Sequence, residues 1–143
     1  MNYSFRLLSC VNQGDRRKVT NWLEEHQFLL FILDGSNIHD IGTFFQSAAQ
    51  VFPQDPPLVG SSWNGDAFVD SLFGGLDGLG QAKVAVLWTD VNNMLDHGLN
   101  DLLTIIGCFE QLAMQVVTPK SGISQPVTVL IFLFGHGPNF PAL

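Results

Sequence analysis

Phe28-Leu29-Leu30-Phe31-Ile32-Leu33 is six apolar residues in a row, followed at once by Asp34-Gly35-Ser36-Asn37. A run of that length closed by turn chemistry reads as a strand, and its lack of polar alternation predicts burial on both faces. Two further stretches repeat the pattern: Lys83-Val84-Ala85-Val86-Leu87-Trp88 and Val127 to Phe134. Segments with helical spacing lie between them. Asp40 is placed to N-cap a helix whose apolar residues Ile41, Phe44, Phe45, Ala48 and Phe52 recur every three or four positions, until Pro53 ends it. A second helix is expected from Gly65 to Phe73, with Gly74, Gly75, Gly78 and Gly80 forming a flexible turn. Thr89 to Gly98 reads as a helix or a loop with helical turns. Leu99 to Gln115 is a longer helix with Leu102, Leu103, Ile106, Phe109 and Leu112 inward. Apolar strands alternating with helices imply an α/β fold, a small three-stranded parallel sheet flanked by helices.

Residues 1–26 precede that unit and are read as an N-terminal extension packed on a domain of residues 27–143. The extension holds a short apolar start, a turn at Asn12-Gln13-Gly14-Asp15 and a helix from Asp15 to His26 with Trp22 and Leu23 inward. Its start, Met1-Asn2-Tyr3, has neither a basic lead-in nor a long apolar centre, so no secretory signal is expected. No apolar run is long enough to cross a bilayer. Cys10 and Cys108 form no CxxC and are expected to be buried free thiols, which favours a cytoplasmic setting.

Charge is divided unevenly. Arg6, Arg16, Arg17 and Lys18 lie at the start, while the residues after them hold only Lys83 and Lys120 against twelve carboxylates, a formal charge of −10. Such a body repels nucleic acid and attracts a basic partner.

Enzyme signatures fail one by one. Gly78-x-Gly80 has Lys83 where a third glycine belongs, and it precedes a strand instead of following one. His26, His39, His97 and His136 form no metal-binding pair, and Ser61, Ser62 and Ser71 have no nucleophile-elbow setting. No cofactor, metal or small-molecule substrate is expected. The remaining candidate is Trp63-Asn64-Gly65-Asp66-Ala67-Phe68-Val69-Asp70-Ser71-Leu72. On a helix, Phe68 and Leu72 pack inward while Asp66 and Asp70 share another face.

That stretch is similar to the Asn-x-Asp-Ala-Leu-x-Asp-x-Leu helix of the barstar family of ribonuclease inhibitors. The strands, the Asp40 cap, the proline-containing loop to Gly60, Trp88 and Phe109-Glu110 follow in matching order over residues 28–134. The resemblance implies a three-stranded parallel sheet and an immunity protein or antitoxin that blocks a basic ribonuclease or nuclease toxin with this helix and its preceding loop. It implies Asp70 as the main carboxylate, standing where an RNA phosphate sits, Asp66 as the second acidic contact, and Phe73 and Gly74 as contacts beyond them.

The sequence also departs from the family. Leu58-Val59 stand where aromatics are frequent, and Val69 holds the aromatic place beside Asp70. A late-helix Glu contact falls on Gln111, with Glu110 beside it as the candidate acidic contact, and Trp63 offers a replacement aromatic contact. An alternative on the same scaffold is an interaction module for a basic non-nuclease partner. A hydrolase using Asp66 and Asp70 is disfavoured, because two acids on one exposed face lack the separate environments that split acid and base roles.

Overall fold

The computed structural model describes residues 3–60 and 62–143, so expectations for Met1, Asn2 and Ser61 lie outside the described residues. Strand β1 (Leu8–Asn12) leads through a 3-10 turn to helix α1 (Arg16–Glu25) and strand β2 (Leu29–Asp34). Helices α2 (Ile41–Val51) and α3 (Gly65–Leu79) precede strand β3 (Lys83–Thr89). A short helix α4 (Asn92–His97), the long helix α5 (Leu99–Val117) and strand β4 (Thr128–Gly135) complete the chain. All strands pair in parallel, in the order β1-β4-β3-β2.

A parallel sheet flanked by helices is therefore present, but it has four strands, not three. The additional one comes from the N-terminal segment: β1 lies along β4, with Leu8 opposite Ile131 and Asn12 opposite Gly135. Leu8-Ser9-Cys10-Val11-Asn12 has little strand character by itself. Pairing with the otherwise open edge of β4 decides its conformation.

Strand alternation builds two cores. Val84, Val86 and Trp88 of β3, with Val129, Ile131 and Leu133 of β4, face α2, α3 and α5. Ala85, Leu87, Phe132, Phe134 and Val11 face the other way, onto Val19 and Leu23 of α1. Trp22, expected inward with Leu23, is only partly buried and stacks on His26. The two central strands are thus covered on both faces. Strand β2 is not, contrary to expectation: it is an edge strand, with Leu29 and Ile32 at 37% and 44% exposure. The core on the α1 side draws its buried residues from α1, β1, β3 and β4, and Leu30 of β2 is only partly buried against it.

Asp40 caps α2 as its sequence predicts. The Thr43 N–H donates to Asp40 Oδ1 at 2.8 Å, and the Asp40 N–H donates to Thr43 Oγ1 at 3.1 Å, a reciprocal capping box. Helix α3 outruns its expected end at Phe73 and continues through Gly74, Gly75 and Gly78 to Leu79. Gly80, at φ 73°, closes it in the left-handed region. The first two of those glycines serve contact and not flexibility, because a Cβ on Gly74 or Gly75 would collide with the backbone of Pro53 to Asp55.

In α5 the buried face is Leu102, Ile105, Phe109, Leu112, Ala113 and Val116. Leu103, expected inward, is 57% exposed. Cys10 and Cys108 are free, but Cys10 is exposed and Cys108 half-buried, so neither is a core thiol.

Candidate functional site

Helix α3 begins at a fixed point. Asn64 accepts a hydrogen bond from the Ala67 N–H at 3.0 Å, which satisfies one of the open donors of the first turn. Gly65 lies against α5, where a Cβ would stand 3.3 Å from Cys108 Sγ. Phe68 and Leu72 are 1% and 2% exposed and anchor the helix in the core. Asp66 and Asp70 both lie on the exposed side, one turn apart. Asp66 sits in the first turn, where the helix dipole favours an anion.

Neither carboxylate is paired with a cation among the described residues, where the ion pairs are Lys18 with Asp15 and His39 with Asp40. Both carboxylates face solvent. The charge of Asp66 also reaches inward: the Cys108 thiol is pushed up from its usual range, first by burial and then by that charge.

The other expected contacts divide. Trp63 is half-buried and leans on Phe68, with ring centroids 5.1 Å apart, and meets Phe44 and Phe45 edge-on at 6.1 and 6.3 Å. It braces the start of α3 and leaves part of its surface free. Phe73 is likewise half-buried. Val69 is not available at the surface: at 1% exposure it is a core side chain. Gly74 is turned against the carbonyl of Asp55.

Glu110 is separated from the pair as well. At about 100° per residue it lies about 200° around α5 from Cys108, the residue that faces α3. Gln111 lies about 60° from Cys108, so an uncharged amide flanks α3 where the resemblance implies a carboxylate.

The loop entering α3 is held down by its own polar groups. The Gln54 side-chain amide donates to the Ala49 and Phe52 carbonyls at 2.8 and 3.1 Å and accepts from the Leu58 N–H. The Asp55 N–H donates to the Ser71 carbonyl at 2.9 Å. Asp55, exposed beside α3, is a third carboxylate at this face that no motif announced. The only sequence signal was its position in a proline-rich loop. At the tip of that loop Val59 is 80% exposed.

No group of three or more His, Cys, Asp or Glu capable of holding a metal occurs among the described residues, and no helix there is long and apolar enough to cross a membrane. What the arrangement offers is a rigid acidic projection. The Barstar (barnase inhibitor) family matches residues 28–130. The chain belongs to the barstar family. That barstar match takes in β2, α2, α3, β3, α4, α5 and the start of β4, and leaves β1 and α1 outside it. The family is described as one of barnase inhibitors, so its members act on a protein as the general kind of partner. No individual curated protein matched the sequence.

Proposed function

We propose that this chain inhibits a ribonuclease or ribonuclease-type toxin by seating the exposed face of α3, with the loop before it, in the enzyme's cationic active site. The observation that carries this reading is the pair Asp66 and Asp70, exposed, without cation partners among the described residues, on a helix fixed by Asn64, Phe68 and Leu72. A ribonuclease site is cationic because it holds phosphates and stabilises developing charge. Carboxylates already fixed in place form charge-assisted hydrogen bonds there without the cost of ordering a flexible chain.

Asp70 is the proposed anchor and Asp66 its second contact. Asp55, Trp63 and Phe73 border them, whereas Val69 and Gly74 support the helix from within. The acidic body speeds encounter with a basic enzyme. Two free thiols suit a reducing compartment, and the cytoplasm is the proposed setting.

Removing one partner of a buried interfacial charge pair costs roughly 2–5 kcal/mol. That range is drawn in part from barnase–barstar, the family's namesake pair, so it is no independent forecast. Asp70→Ala is expected to weaken inhibition by at least about a hundredfold with the fold intact. The test is co-expression with candidate ribonucleases, scored by rescue of growth. Rescue lost in Asp70→Ala but kept in Glu24→Ala supports the reading; rescue kept by a folded Asp70→Ala removes the anchor.

A further inference from the structure

Eight large apolar side chains are exposed among the described residues, and four of them, Leu99, Leu103, Met114 and Val117, lie on α5. At about 100° per residue all four fall within an arc of about 60°. Exposed apolar residues on a monomer are ordinarily scattered singly. Here they form a stripe along the whole helix, on the flank opposite Cys108 and therefore turned away from α3. Ile106, Gly107 and Glu110 lie at its middle.

We propose that this stripe is the contact between two copies of the chain, their α5 helices packed antiparallel about a two-fold axis. The spacing is self-complementary. Leu99 and Val117 are equidistant from Cys108, and Leu103 and Met114 are so to within a residue, so an axis at that level sets Leu99 against Val117 of the second copy and Leu103 against its Met114. Glu110 then falls opposite Ile106 and Gly107. A Cβ on Gly107 would meet nothing within 4 Å, so the bare glycine leaves each carboxylate a way over it to water.

Charge selects the same orientation. Asp96 stands exposed just before α5 and Lys120, also exposed, just beyond its end, while α5 itself carries no cation. Asp101 is turned the other way, its carboxylate accepting from the Ile41 N–H. Antiparallel packing brings the acidic end of one copy to the lysine end of the other, whereas parallel packing joins like to like. A membrane-seated helix, by contrast, carries cations along its polar face. Four side chains per copy make a small interface, and two Glu110 carboxylates near the axis weaken it, so the dimer is reversible, with a dissociation constant on the order of 10–100 µM. Both copies keep α3 exposed, so the dimer does not depend on the proposed inhibition.

The test is sedimentation of the full chain from about 1 to about 500 µM. A concentration-dependent monomer–dimer equilibrium is expected. The double variant Leu103→Lys/Met114→Lys sets lysine against lysine and weakens the dimer by at least about a hundredfold, with thermal unfolding unchanged because both positions are exposed. Glu110→Leu removes the central charges and tightens a discrete dimer by at least about tenfold, a gain that misfolding does not produce. A parent chain that stays monomeric throughout, or a dimer indifferent to both variants, overturns the proposal.

Discussion

Gly74 of α3 rests directly on the carbonyl of Asp55, with no room between them for a methyl group. The contact holds the Pro53 to Asp55 loop against the helix that carries Asp70. Alanine is the better helix former by about 1 kcal/mol, yet Gly74→Ala is expected to destabilise the chain by about 2–4 kcal/mol, because the colliding atoms are backbone and do not swing aside. Gly78 is the control. It lies in the same helix with nothing within 4 Å of a Cβ, so Gly78→Ala is expected to stabilise by about 0.5–1 kcal/mol. Urea unfolding of the two variants measures both, and the same sign for both would refute this account.

These glycines mark where sequence patterns stop being informative. Composition labels Gly74 to Gly80 a flexible turn, since glycine weakens an isolated helix. Only the loop packed on it shows that two of them are there for close approach. Strand β1 was illegible for a related reason: five mixed residues become a strand because β4 offers an open edge. Features encoded locally were legible. The Asp40 cap, the apolar runs of β3 and β4, and the Phe68/Leu72 inward and Asp66/Asp70 outward division of α3 all follow from nearest-neighbour chemistry and helical period. Exposure of Leu103 and burial of Val69 depend on which neighbours arrive from elsewhere in the chain.

The Asp40 capping box gives stability a pH dependence. Its carboxyl is held below the usual range, first by the Thr43 N–H and then by the Thr43 hydroxyl. Asp34 is lowered in the same direction, chiefly by the Ser36 hydroxyl. A lowered folded-state pKa means this stabilisation is present above the unfolded carboxylate value, about pH 4, and is lost as pH falls through the folded value. Asp40→Ala is expected to cost about 1 kcal/mol at neutral pH. Urea midpoints recorded from pH 6 down to about pH 2 should show parent and variant converging. A constant gap across that range would exclude the cap as its source.

Val69 and Asp70 are adjacent in sequence and opposite in environment, the first 1% exposed and the second on the surface. Val69→Ala deletes buried methyl groups and is expected to cost about 1–3 kcal/mol of folding stability. Once folded, that variant should inhibit like the parent, whereas Asp70→Ala should unfold like the parent and inhibit poorly. Chemical denaturation beside an inhibition titration separates the two. Loss of inhibition by a fully folded Val69→Ala would return that side chain to the contact surface.

Leu23 of α1 is fully buried against Leu87, Phe132 and Phe134, residues of the two central strands. If the N-terminal segment were an appended layer, loosening it would produce an early separate transition and leave the rest of the chain unchanged. Its strand is instead hydrogen-bonded into the sheet, and its helix provides one of the two cores. Leu23→Ala is therefore expected to cost about 2–5 kcal/mol and to move a single cooperative transition as a whole. Two tryptophans make this measurable. Trp22 reports from α1 and Trp88 from the centre of the sheet, and variants retaining only one or the other give each probe separately. Coincident midpoints, both lowered by Leu23→Ala, mean that the segment outside the family match is part of the folding unit that positions α3; an early transition at Trp22 alone would make it an accessory layer.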